Sequence, residues 1–199
     1  MLSLVLDSAN KELLVALFKD NLKVDETRYE AWQRQSEYML PELDKILKRN
    51  NVDPKSINEV IVTVGPGSYT GVRIALTIAK IYAYTLNIPC YAISSLQVLE
   101  NPNKPSICLE NARSGRSYVG VYDGKKALIK DTIWSNGEVL KYISEHKDYA
   151  LCGDLFYLDL VGERNDISSN LIALKGEDNL VENIFSLKAI YLKDWYENY

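Results

Sequence analysis

The sequence predicts an α/β protein built as two small lobes with mixed sheets flanked by helices, and three features predict it. Residues 60–93 read as strand, glycine-rich turn, helix and strand, a right-handed β-α-β unit. The link Pro102-Asn103-Lys104-Pro105 separates two regular stretches and sets lobes of 1–102 and 103–199. At 199 residues the chain suits one ordinary domain or two small ones sharing a core.

The elements follow in order. Apolar strands at 2–6 and 12–18 flank the small polar turn Asp7-Ser8-Ala9-Asn10-Lys11, and 22–31 is a weaker third strand. Ser36 caps a helix to about residue 50, with Tyr38, Met39, Leu43, Ile46 and Leu47 on its apolar face and Pro41 near its first turn. Val60-Ile61-Val62-Thr63-Val64 has the continuous β-branched pattern of a strand buried on both faces. The turn Gly65-Pro66-Gly67-Ser68-Tyr69-Thr70-Gly71 leads into a helix over 71–86, then a strand at 89–93, and Ser94-Ser95 caps a short helix to Leu99. Strands are expected at 106–110, 117–122, 127–134 and 149–152, with Asp123-Gly124 as a hairpin turn. Helices are expected at 136–146, 154–161 and 180–187.

Composition removes several function classes. Hydrophobic residues are 47% and charged residues 25%, as in a folded chain, and net charge is −4 with neither half basic, so nucleic acid is not held unaided. No apolar run reaches the roughly 18–20 residues of a membrane span, and the N-terminus lacks a basic start. Cys90, Cys108 and Cys152 are odd in number and far apart in sequence, which fits free thiols in a reducing cytoplasm. With His146 the single histidine, no HxxxH or HExxH metal pair exists, and no metal or cofactor is expected.

Gly65, Gly67, Ser68, Thr70 and Gly71 precede a helix N-terminus, where backbone N–H groups and the helix dipole can meet a phosphate. The loop has neither a lysine nor GxGxxG spacing, and glycines that merely permit a tight turn are the competing reading. Charge is the clearer signal. Between Val60 and Leu99 only Arg73 and Lys80 are charged, two of 40 residues where the chain average gives ten. A wheel of the 71–86 helix puts Val72, Ala75, Leu76, Ala79, Ala83 and Leu86 on a sheet-facing side. Ile74, Ile78, Ile81 and Thr85 lie nearly opposite, with Arg73, Thr77, Lys80 and Tyr84 on a third side. A helix apolar on two sides buries both, so the isoleucines are covered either by the 36–50 helix or by another protein. The expected anchors are Tyr38, Met39, Ile74, Ile78 and Ile81, rimmed by Arg73, Thr77 and Lys80, and Ile78→Glu is expected to leave the monomer folded while abolishing docking. Asp7 reads as a turn residue or a metal-phosphate orienter, His146 as a solvated side chain, and Arg113 and Arg116 as loop guanidinium groups. Ser68 and Thr70 lack a neighbouring His or Lys activator.

Val64-Gly65-Pro66-Gly67-Ser68-Tyr69-Thr70-Gly71-Val72-Arg73 resembles the GPGSFTGLR signature of the TsaB family, also called YeaZ. The likeness extends to Leu6-Asp7-Ser8-Ala9, Ser36-Glu37-Tyr38-Met39-Leu40-Pro41, Asn111-Ala112-Arg113-Ser114-Gly115, Gly153-Asp154 and Ala189-Ile190-Tyr191-Leu192-Lys193. It is faint over 125–185, and Gln35, Asn111 and Arg116 stand where the family commonly has histidine, aspartate and, nearby, glutamate. The resemblance implies an actin-like (ribonuclease H-like) fold and a non-catalytic scaffold in the cytoplasm. It implies binding to TsaD as a heterodimer in the complex that transfers threonylcarbamoyl to the adenosine beside the tRNA anticodon. It further implies a homodimer when alone, a TsaE-type ATPase in the full complex, and tRNA contact only through that complex. Two other classes stay open: a stand-alone actin-like metabolite kinase or ATPase using Asp7, and a peptidase acting on partner proteins through Ser68.

Overall fold

A computed structural model describes residues 1–31 and 33–192; Lys193, quoted above, lies outside them. Its first sheet has five strands in the order β3-β2-β1-β4-β5. Strands β1 (Leu2–Asp7), β2 (Glu12–Lys19) and β3 (Leu22–Glu30) form an antiparallel meander. Strands β4 (Glu59–Thr63) and β5 (Cys90–Ile93) add in parallel beside β1. The crossover from β4 to β5 is helix α2 (Tyr69–Leu86), which packs with helix α1 (Gln35–Arg49) on one face of the sheet.

Period-2 alternation explains why the central strands β1 and β4 are apolar on both sides. Leu4, Leu6, Val60 and Val62 point at α1 and α2, whereas Val5, Ile61 and Ile93 point the other way into a second core. That second core is closed by helix α4 (Ile167–Leu174) through Ile167, Leu171 and Leu174, and by Cys108, Tyr122 and Cys152 of the other sheet. The other sheet has the order β8-β7-β6-β9. Its strands are β6 (Ser106–Arg113), β7 (Arg116–Asp123), β8 (Lys126–Ser135) and β9 (Ala150–Gly153). Helix α3 (Asn136–Glu145) covers its far side through Val139, and starts with a Ser135–Glu138 capping box.

Several expectations need correction. Ser36 does not cap α1: Arg34 precedes the helix without a side-chain cap, and Ser36 lies inside the first turn. Ser68 caps α2 instead, accepting from the Gly71 N–H at 3.2 Å, so the helix begins two residues before Gly71. Residues 154–161 make only one 3-10 turn, Phe156–Leu158, which Asp159 ends at φ +57°. The helix expected at 180–187 is absent. Strand β5 is a sheet edge, and its free positions take up this segment: the Val181 N–H donates to the Cys90 carbonyl at 2.9 Å, and Leu180 bridges Tyr91. The helix of the C-terminal region is α4, capped by Asp166, which the periodicity did not show. The chain after the second sheet therefore returns to the first, and Ile190 N–H reaches the Val64 carbonyl at 2.7 Å.

Candidate functional site

The glycines of the 65–71 loop meet the chain's own backbone. A Cβ on Gly71 would stand 2.0 Å from the Ser8 carbonyl oxygen, and one on Gly67 would stand 2.3 Å from that of Ala9. Gly65, at φ +98°, brings its α-carbon against the Ile190 carbonyl. Hydrogen bonds fix this approach: the Ser68 N–H donates to Ala9 O at 2.6 Å, the Ser8 hydroxyl to Gly71 O at 2.7 Å, and the Gly65 N–H to Ser95 Oγ at 2.9 Å. The Gly65, Ser68 and Gly71 N–H groups, which a phosphate cradle would use, thus already have acceptors within the chain. The geometry is that of a turn locking the start of α2 onto the β1–β2 turn, with the Ser68 hydroxyl engaged as a cap and Thr70 on the exposed side.

The second apolar side of α2 divides along its length. Ile78 is 5% exposed and Met39 fully buried, both within the core shared by α1, α2 and the sheet. The expectation that Ile78 and Met39 lie bare for a partner is therefore corrected: both are packed in the core between α1, α2 and the sheet, and a glutamate at 78 would be forced into it. Ile74 and Tyr38 are half-buried. Ile81 is 55% exposed, and near it the structure adds residues that the wheel did not select as anchors: Tyr84 at 63% on α2 and Phe185 on the returning segment. Tyr84 and Phe185 meet edge to face, with centroids 5.2 Å apart.

The rest of this exposed side holds Tyr69, Arg73, Thr77 and Thr85, with no carboxylate on α2. Arg73 lies over the Tyr69 ring at 5.1 Å and donates to its hydroxyl, and Tyr69 stacks on Tyr191 at 5.0 Å. Thr77 and Thr85 turn their hydroxyls back to the Arg73 and Ile81 carbonyls at 2.7 and 2.6 Å, so both hydroxyls are satisfied within the helix. Lys80 is half-buried on the rim. Leu40 of α1 is also exposed. Uncovered aliphatic and aromatic side chains on a rigid helix, beside Arg and Lys, have the composition of a protein–protein interface.

Between the lobes lies a cleft of about 460 Å³ lined by Asp7, Lys11, Glu12, Arg28, Glu110 and Asp154 among others. Lys11 crosses it to Asp154 at 2.5 Å, and Arg28 pairs with Glu12 at 2.6 Å. Burial first, then the neighbouring Asp154 and Asp7, pushes the Glu110 carboxyl up to about 8. Asp7 is the turn residue of the two readings in its contacts: its Oδ1 accepts from the Ala9 N–H at 2.9 Å and from the Thr63 hydroxyl, and burial raises its pKa. Among the described residues, no three His, Cys, Asp or Glu side chains converge as a metal-ligand set.

The remaining residues fall apart spatially. His146 is not simply solvated: it caps the C-terminus of α3 and stacks on Tyr142 at 3.9 Å, with Nδ1 2.9 Å from the Tyr142 carbonyl. That leaves the Ser68 hydroxyl without a histidine. Arg113 and Arg116 flank the two-residue β6–β7 turn, and Gln35 is buried, donating to Asn10 O at 2.9 Å. Cys108 and Cys152, far apart in sequence, are direct partners in neighbouring strands.

The family model of TsaD, tRNA N6-adenosine threonylcarbamoyltransferase, matches residues 29–178. The Bacillus subtilis tRNA threonylcarbamoyladenosine biosynthesis protein TsaB is 32% identical over 67% of this chain and 60% of its own length. An uncharacterized Mycoplasma pneumoniae protein is 30% identical over 96% of this chain and 94% of its own. YeaZ from Pseudomonas aeruginosa superposes with a TM-score of 0.76 at 19% identity, covering 96% of this chain and 99% of that one. A second solved structure, described as an uncharacterized protein with similarity to peptidase YeaZ, gives 0.81 at 20% identity over the same shares. The fold is thus the actin-like one of YeaZ, and with the matched family model and the Bacillus relative the chain belongs to the TsaD family, among its TsaB (YeaZ) members.

Proposed function

We propose that this chain is the non-catalytic docking subunit of a tRNA threonylcarbamoyladenosine-forming complex, and that its partner is a TsaD-type threonylcarbamoyltransferase. The observation that carries the reading is the α2 stripe, where Ile81 and Tyr84 stand exposed on a helix without a carboxylate. A TsaD-type partner fits because the family model spans both α1 and α2, so a paralogue can present the equivalent helix pair. In the same reading the chain pairs with itself when TsaD is absent, a TsaE-type ATPase joins the full assembly, tRNA is met only there, and the site of action is the cytoplasm.

Within this proposal the 65–71 glycines set the position of the docking helix, and no cofactor is required of this subunit. A stand-alone kinase would need Asp7 free for a metal-bound phosphate, and its Oδ1 already serves Ala9 and Thr63. A peptidase would need a base beside Ser68. Gel filtration of the purified chain with its TsaD-type paralogue tests the proposal. A heterodimer peak that Ile81→Asp abolishes is expected; absence of a complex with the unmodified chain defeats it.

A further inference from the structure

Cys108 in β6 and Cys152 in β9 are register partners in adjacent parallel strands. Neighbouring strands lie about 4.7–4.9 Å apart, within the roughly 4.4–6.8 Å Cα separation that a disulfide spans. Both side chains point to the same face, into the core between the sheets, while Ile107 and Leu109 point to the other. The two side chains share that core as neighbours across the strand pair. The Asn165 amide donates to the Cys152 sulfur at 3.5 Å. Although both thiols are buried, Asn165 and Gly153 line the inter-lobe cleft, so one side chain separates Cys152 from a water-accessible space.

We propose that Cys108 and Cys152 are a modification site, a dithiol that a hydroperoxide converts reversibly into a disulfide. The roles are asymmetric. Interaction with Cys108 lowers the Cys152 pKa below the ordinary thiol value against the opposing effects of burial and the Glu163 charge, while burial holds Cys108 well above it. The Cys152 thiolate attacks the peroxide O–O bond, giving a sulfenic acid and releasing hydroxide. The Cys108 sulfur then attacks the Cys152 sulfur, the S–O bond breaks, and the S–S bond forms as water leaves. Two thiols and one hydrogen peroxide thus give one disulfide and two waters. The link would tie β6, which carries Glu110, to β9, whose end leads into Asp154, fixing one wall of the cleft.

The test treats the reduced full-length chain with hydrogen peroxide, then denatures it in N-ethylmaleimide and measures intact mass. The expected product carries one maleimide, on Cys90, and is two hydrogens lighter; a digest joins the Cys108 and Cys152 peptides, and dithiothreitol restores three labelled thiols. In Cys108→Ala, dimedone is expected to trap a sulfenic acid on Cys152. The proposal is overturned if all three thiols stay labelled, if Cys90 forms the bond, or if Cys152 proceeds to sulfinic acid while Cys108 remains free. The mass measurement on the unmodified chain decides even if the variant does not fold.

Discussion

Two isoleucines one turn apart on α2 make opposite predictions. Ile78 is 5% exposed and packed under α1, so Ile78→Ala removes core volume and should cost about 2–4 kcal/mol of monomer stability. Ile81 is 55% exposed, so changing it should move monomer stability by no more than about 0.5 kcal/mol. Burying a whole aliphatic side chain contributes about 1.5–3 kcal/mol, and a partner can cover only the 55% left open. Ile81→Ala should therefore weaken docking by about 0.8–1.7 kcal/mol, or about 4- to 16-fold in Kd. Ile81→Asp adds the cost of an unpaired carboxylate in an apolar seam, about 1–3 kcal/mol more. Thermal melts and calorimetric titration with the TsaD-type partner measure both quantities. An Ile81→Asp protein that binds undiminished, or an Ile78→Ala protein that melts with the parent, would refute the reasoning.

Glycine contacts and buried carboxyls give two further tests. Gly71→Ala drives a Cβ against the Ser8 carbonyl and should cost about 1–3 kcal/mol, with docking weakened because the start of α2 shifts; Gly137→Ala in α3, with open space around it, should stabilise by about 0.5–1 kcal/mol. Urea melts of both variants make the comparison. Glu110 titrates near 8 when folded and near the ordinary 4.5 when unfolded, so between these values the folded state holds the extra proton and stability must fall as pH rises. The loss should be of order 2–3 kcal/mol, allowing for water at the cleft. Urea midpoints from pH 5 to 8.5 should decline, and Glu110→Gln should flatten the slope; an unchanged slope would remove Glu110 as its source.

What the residues disclosed follows the range of the interactions involved. The strand at 60–64 and the crossover to 93 were legible because continuous β-branched residues, a glycine turn and an amphipathic helix are local signals. The covering of Ile78 was not, because it depends on α1 crossing α2, and no local pattern records how far along α2 that cover extends. Tyr84 was placed on the correct helix but gained its meaning from Phe185, about a hundred residues away. The missing carboxylates single out α2 from sequence; long-range packing decides that Ile81 and Leu40 stay exposed while Ile78 and Met39 are buried. Strand register likewise hid the thiol pair, since spacing along the chain says nothing about which residues of β6 and β9 lie side by side.

The β1–β2 turn joins the two regions with chemistry. Asp7 accepts the Ala9 N–H and the Thr63 hydroxyl, which fixes the turn; Ala9 O and Ser8 Oγ then hold Ser68 and Gly71 at the head of α2. From the same turn Lys11 reaches Asp154 at 2.5 Å across the cleft. The exposed stripe of α2 and the cleft wall are thus attached to one short segment whose backbone is held on both sides. Glycine at 67 and 71 is what permits that attachment, because any side chain there would push α2 away from the turn. A motif that looks like an anion loop in sequence joins, in this fold, the head of α2 to the turn that also reaches the cleft.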